Sequence, residues 1–273
     1  DDVPQLMAFY AQSRGDSLVW NDAPESFWRH HIAAWDDPFV QNDPLRTILH
    51  GRLHMIVTDA GATVGYSRVA AKRWDEKLHV WGLYLAPGMN WQVAAPGLLR
   101  AFHAAGQAIP AVEDNAKPFS VIELMLGRTH PLYAMLEDTL PLRTLPPYAW
   151  YLRVPDVPAF VQHIAPVLEA RLAASILAGY SGEVKIDFYR GGLRLVLVEG
   201  KLTQVEPWRA PAYGEEADAG CPLLVFNQLL FGYRSLAELR AFFPDVWANA
   251  ASARLIEVLF PKQPSHVHAL NNA

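Results

Sequence analysis

The chain has 273 residues, 51% hydrophobic and 19% charged, with a net charge of −5; this length suggests roughly two domains that bury about 70–75% of their unfolded surface. No Lys/Arg cluster of the kind that neutralises phosphates is present, which argues against a nucleic-acid partner, and no apolar run approaches the ~18–20 residues of a membrane span. Cys221 is the one cysteine, so no intrachain disulfide forms; with no visible signal peptide, a reducing, cytoplasmic setting is expected.

The chain opens on DDVPQL with no Met, so a preceding segment is expected. PESFWRHHIAAW carries Phe27, Ile32 and Trp35 at helical spacing behind Pro24 and predicts an amphipathic helix. DDPFVQNDPLR reads as a loop broken by Pro38 and Pro44. RLHMIVTD and ATVGYSRVAA flank a short AG turn and predict a hairpin. KLHVWGLYLA is a third strand ended by Pro87-Gly88, and a helix is expected from about Ala95 to Ala108. FSVIELMLG is nearly all apolar and reads as a central fourth strand; HPLYAMLEDT reads as a short helix. The order predicts an α+β unit, a mixed sheet with flanking helices.

LPLRTLPPYAW, with Pro141, Pro146 and Pro147, marks a boundary between residues 1–147 and 148–273. YAWYLRV then reads as a strand, and DVPAFVQHIAPVLEARLAAS as one helix capped by Asp156 and kinked at Pro166. GEVKIDFYRGGLRLVLVEGKLTQVEPW predicts three antiparallel strands; Val184, Ile186 and Phe188 share one side, Leu193, Leu195 and Leu197 another. PAYGEEADAG reads as a mobile acidic loop. CPLLVFNQLLFGYRSLAELRAFFPDVWANAASARLIEVLFP reads as two or three short helices, with Ser235 able to cap one.

The chemistry-bearing residues are sparse. Ten histidines include His30-His31, His50 with His54, and His266 with His268, but no H-E-x-x-H and no cysteine pair, so no metal site is expected. Cys221 reads as a small buried residue rather than a nucleophile, and no G-x-S-x-G elbow exists. The acidic stretches WDDPF and YGEEAD read as solvated loop charge. Arg153 and Arg194 read as structural ion-pair residues, with contact to an acidic partner surface as the alternative. No catalytic residue is assigned.

One stretch carries more information. LYLAPGMNWQVAAPGLLRAFHAAG reads as a strand, a loop and a helix, with Gln92, Ala95 and Gly97 in the loop. Such a loop presents free N–H groups at a helix N-terminus, where pyrophosphate binds. Here Ala95 stands where a glycine is wanted, Pro96 removes an N–H and forces Ala95 out of the helical region, and bulky GMNW crowds the approach. The loop reads as a packing turn that no longer binds phosphate.

This strand-loop-helix, between the hairpin and FSVIELMLG, resembles the GNAT acetyltransferase superfamily, whose cofactor loop reads [Q/R]-x-x-G-x-[G/A]; Gln92 and Gly97 match it and Ala95 does not. PYAWYLRVPDVPAFVQHIAPVLEARLAAS, GEVKIDFYRGGLRLVLVEGKL, NQLLFGYRSLAELRAFFPD and LIEVLFPKQPSH resemble the sterol-carrier-protein-like domain of the Eis-type acetyltransferases. The resemblance implies a degenerate GNAT-like domain over 1–147 followed by a sterol-carrier-like antiparallel sheet with helices over 148–273. It implies acetyl-CoA as co-substrate, an amine on a small molecule or peptide as acceptor, and a homo-oligomer. It also implies that the working acetyl-CoA site and its tyrosine lie in a domain N-terminal to Asp1, and that a chain-terminal carboxylate, here Ala273, reaches that site. The antiparallel sheet under helices is expected to leave an apolar groove lined or rimmed by Tyr189, Trp208, Tyr233 and Arg234.

Overall fold

The computed structural model describes all residues except 1, 16, 59, 137–142, 144, 146–151, 212–215 and 268–273. The chain divides into two compact units, Asp1–Leu145 with Ser265–Ala273 and Pro146–Pro264. The segments around LPLRTLPPYAW and PAYGEEADAG, with His268 and Ala273, lie largely or wholly outside the described residues. Among the described residues no helix is long and apolar enough to cross a membrane.

The first unit opens on α1 (Val3–Ser13) and α2 (Glu25–Ala33), the latter running into a 3-10 turn over Ala34–Asp36. Their apolar faces meet in a cluster of Leu6, Phe9, Tyr10, Trp28 and Tyr66. The stretch expected to be loop holds two short helices instead, α3 (Pro38–Asn42) and α4 (Pro44–His50). Each begins Asp-Pro. The proline occupies the first helical position, where its missing N–H is not needed. Asp37 accepts from the Phe39 N–H at 2.8 Å and Asp43 from the Arg46 N–H at 3.1 Å.

The sheet follows as β1 (Arg52–Val57), β2 (Thr63–Val69), β3 (Lys77–Leu85) and β4 (Val121–Leu124), in that spatial order. β1–β2 and β2–β3 are antiparallel; β3–β4 is parallel. Gly65 of β2 lies so close to β3 that a Cβ there would sit 2.0 Å from the Tyr84 carbonyl oxygen. α5 (Trp91–Ala108) packs on this sheet, with Ala95 and Phe102 buried against Val69, Leu78 and Leu83. Among the described residues β4 is an edge strand of four residues rather than a central one. Its apolar neighbours work elsewhere: the Phe119 ring fills the space above Gly106 of α5, and Leu126 enters the core beyond the strand's end. α6 (Pro131–Leu136) closes the unit's described helices.

In the second unit the single long helix divides. Asp156 caps α7 (Val157–His163), accepting from the Ala159 N–H at 2.9 Å, and α8 (Ala165–Ala173) restarts past Ile164, so Pro166 marks a break and not a kink. Leu152–Val154, the described end of YAWYLRV, is not strand. β5 (Gly182–Asp187), β6 (Gly192–Val198) and β7 (Lys201–Pro207) form the expected antiparallel set. Two short strands, β8 (Ala219–Gly220) and β9 (Trp247–Ala248), extend the sheet to the order β7-β6-β5-β8-β9. Ile186 pairs with Leu193 and Val184 with Leu195, so the two apolar sets share one sheet face rather than opposite ones. That face is covered by α7, α8, α9 (Leu223–Leu230), α10 (Leu236–Phe242) and α11 (Ala250–Leu259) through Leu168, Leu172, Phe226 and Phe260, all at most 1% exposed. Ser235 caps α10 in a full capping box with Glu238. Arg194 bridges Glu183 at 2.8 Å and Glu206 at 3.1 Å across three strands.

Candidate functional site

The site suggested by the sequence lies where β3 passes into α5. The helix begins earlier than expected, at Trp91, because Asn90 caps it. Gln92, Ala95 and Gly97 are therefore inside its first two turns and not in a loop. Pro96 is the sixth helical residue and Ala95 stays helical; the proline costs a bond to the Gln92 carbonyl rather than a first-turn donor. At about 100° per residue Ala95 and Gly97 face nearly opposite ways. Ala95 is buried in the core, whereas Gln92 and Gly97 are exposed.

The first-turn N–H groups have partners already. The Gln92 N–H donates to Asn90 Oδ1 at 2.9 Å, and the Val93 and Ala94 N–H groups donate to the Asn90 carbonyl at 3.2 and 3.0 Å. An anion at this helix end competes with the chain's own cap. Nothing lies within 4 Å of a Cβ built on Gly97. The glycine meets no packing need, so Gly97→Ala is expected to raise stability by about 0.5–1 kcal/mol, read as a raised urea midpoint with unchanged slope.

The parallel strand β4 ends well before β3 does. The ladder between them ends where the Met125 N–H donates to the Val80 carbonyl at 2.9 Å, while β3 continues to Leu85. Along that continuation the space beside β3 is taken by a side chain. His130 Nε2–H donates to the Leu83 carbonyl at 3.0 Å, and His130 Nδ1 accepts from the Leu132 N–H at 3.2 Å. A carbonyl only accepts and an amide N–H only donates, so these two bonds define one neutral tautomer. Burial holds the imidazole below its ordinary titration range. Trp91 stands edge-on to the ring at 5.1 Å. Tyr133 locks the turn behind it, donating to the Leu124 carbonyl at 2.9 Å and accepting from the Leu126 N–H at 3.2 Å. The His266 ring lies against Gly127 in the same turn. Asn90, His130 and Tyr133 had escaped the sequence reading. A polar residue just before a helical run, and His130 ahead of Pro131, were the signals available.

The four residues of the second unit fall into two pairs, and no contact described joins one pair to the other. Tyr189 and Trp208 lie at one end of the sheet. Tyr189, at φ +67° in the β5–β6 turn, donates its hydroxyl to the Asp245 carbonyl at 2.5 Å. The Trp208 N–H donates to the Gly192 carbonyl at 3.0 Å, and its ring lies over that glycine. Tyr233 and Arg234 follow α9, their N–H groups converging on the Gln228 carbonyl. The Arg234 guanidinium sits 5.4 Å from the Tyr233 ring centre and 4.5 Å from that of Phe242. The face between sheet and helices, expected to hold a groove, is packed by the chain's own side chains. Cys221 is buried, and burial pushes its thiol up to about 12, the opposite of an activated nucleophile.

Neither a protein-family model nor a curated protein sequence matches the chain. Solved structures do. A GCN5-related N-acetyltransferase from Anabaena variabilis ATCC 29413 is similar over 97% of this chain and 59% of its own, at 13% identity and a TM-score of 0.52. The fold is shared with that structure. A GCN5-related N-acetyltransferase from Kribbella flavida is similar over 98% of this chain and 58% of its own, at 17% identity and a TM-score of 0.48. A conserved Enterococcus faecalis V583 protein, described as a probable N-acyltransferase, is similar over 80% of this chain and 49% of its own, at 11% identity and a TM-score of 0.49. The chain thus spans about half to three-fifths of the length of each. In this chain the residues where β3 runs on into α5 do not fit an acyl-CoA: the anion end is capped by Asn90 and the Leu83 carbonyl is taken by His130.

Proposed function

We propose that these 273 residues are the accessory portion of an Eis-like GCN5-related N-acetyltransferase acting in the cytoplasm. In this reading residues 1–147 are a degenerate copy of the acetyltransferase domain, and 148–273 a sterol-carrier-like domain. Transfer of acetyl from acetyl-CoA to an amine of a small molecule or peptide takes place on a catalytic domain outside them. The observation that carries the reading is the His130 ring on the Leu83 carbonyl, beside the stretch of β3 that runs on past β4. Gln92 and Gly97 remain the residues that would meet the cofactor if that stretch cleared, with Ala95 behind them. Tyr189, Trp208, Tyr233 and Arg234 are the residues proposed to meet an acceptor or apolar ligand.

The test is transfer of labelled acetyl groups to a polyamine, an aminoglycoside and a lysine peptide by the chain alone. The expected result is no product above the uncatalysed reaction. Transfer with multiple turnovers would place catalysis inside these residues and overturn the reading.

A second reading, assembly, is favoured by the apolar surface of α9, α10 and the turn between them, where Leu224, Tyr233 and Phe242 are 60–70% exposed. It predicts a homo-oligomer in sedimentation, reduced to monomer by Leu224→Asp with Phe242→Asp; a monomeric parent protein would remove it.

A further inference from the structure

Two histidines outside the candidate site form the centre of an aromatic column in the first unit. The His31 and His50 rings stack at 3.9 Å with 10° between their planes. Phe27 extends the stack at 5.8 Å from His31, and Trp35 tilts against His50 at 6.2 Å with the Arg52 guanidinium 4.1 Å from its ring centre. Both imidazoles are buried, at 3% and 1% exposure. His50 Nε2 lies 2.7 Å from the His31 carbonyl and must carry the proton there. Arg68 is buried beside them, its Nε and Nη2 donating to the His50 and Leu49 carbonyls at 2.8 and 2.5 Å. Among the described residues, Arg68 of β2 and His30 of α2 disfavour a proton on either ring and His50 disfavours one on His31, while backbone hydrogen bonds, at Gly51 for His31 and at His31 for His50, act the other way and are outweighed. The column joins α2, the 3-10 turn, α4 and β1.

We propose that this column is an acid-operated latch: the neutral imidazoles hold α2 and α4 to the sheet, and protonation of His31 and His50 releases them. Burial, and then Arg68, push His31 from 6.5 down to about 3, and burial moves His50 in the same direction. The folded form therefore binds protons more weakly than the open form. The latch is at full strength above pH 6.5 and weakens as pH falls from there toward 3. From pH 7 to pH 5, His31 alone raises the opening equilibrium about 25-fold, and His50 adds to this.

Hydrogen exchange on the whole chain, corrected for the intrinsic pH dependence, reads the opening directly. Amides of α2 and α4 are expected to lose protection by about tenfold or more between pH 7 and pH 5, while α8 and α11 of the second unit keep theirs. The double variant His31→Phe/His50→Gln keeps a stacked ring and a side-chain N–H but takes up no proton in this range, and is expected to abolish the loss. Unchanged protection of α2 in the parent protein at pH 5 overturns the proposal, as does an equal loss in the double variant. If that variant does not fold, NMR titration of the parent His31 ring decides. Protonation coinciding with the loss of α2 protection, well below pH 6.5, supports the latch. A ring that titrates near 6.5 with α2 still in place overturns it.

Discussion

Arg68→Met is expected to lower the stability of the first unit at neutral pH by about 2–5 kcal/mol, since buried carbonyls left without donors cost about 1–3 kcal/mol each. The last carbonyls of a helix have no intrahelical donor. In α4 those of Leu49 and His50 are met by the Arg68 guanidinium, itself 2% exposed. Methionine fills the volume of the stem but offers no N–H. The same change removes a positive charge that disfavours protonation of His31, so the variant should also show a His31 titration moved upward. Chemical denaturation followed on first-unit residues by NMR measures the stability, and the His31 ring resonances report the titration. A change below about 0.5 kcal/mol, the range of ordinary surface substitutions, would mean the helix end is solvated some other way.

Phe226→Ala carries the second large effect, about 3–5 kcal/mol lost from the second unit. Phe226 is fully buried in α9, 5.0 Å from the Phe188 ring and 5.7 Å edge-on from that of Phe260. It thus ties the β5–β6 turn to the chain beyond α11. Truncation leaves a cavity lined by two aromatic rings and by leucines of the sheet face. The control is Ile176→Ala in the same unit, 88% exposed, which should move stability by no more than about 0.5 kcal/mol. Equal urea midpoints for the two variants would refute the packing described.

The antiparallel strands of both units were legible because alternation and short glycine turns act locally. The residues that went astray did so for identifiable reasons. Pro38 and Pro44 look like breakers in a linear reading, yet each follows an aspartate that caps, so the pair starts a helix. Pro96 looks like a barrier to helix before it, but Asn90 had already begun one. The apolar run around β4 looks like a central strand because burial is legible and its geometry is not. Phe119 packs half-buried against a helix glycine and Leu126 is buried in the core past the strand end, not on two faces of a sheet. The pairing of His31 with His50 needed α2 and α4 side by side, which no spacing between residues 31 and 50 announces.

At the candidate site Gln92 and Gly97 drew the sequence reading to the strand-to-helix junction in which they lie. What closes it comes from 40 residues further along, in His130 and its support by Tyr133. A side chain that caps a strand carbonyl across a parallel pair has no local signature.

The most direct test is titration calorimetry of acetyl-CoA into the chain. With Asn90 on the first-turn donors and His130 on the Leu83 carbonyl, no binding is expected up to millimolar cofactor. Binding in the micromolar range that is lost in Gln92→Ala or in Gly97→Trp would contradict the account: it would mean that the His130 side chain leaves the Leu83 carbonyl and that this unit holds the cofactor itself.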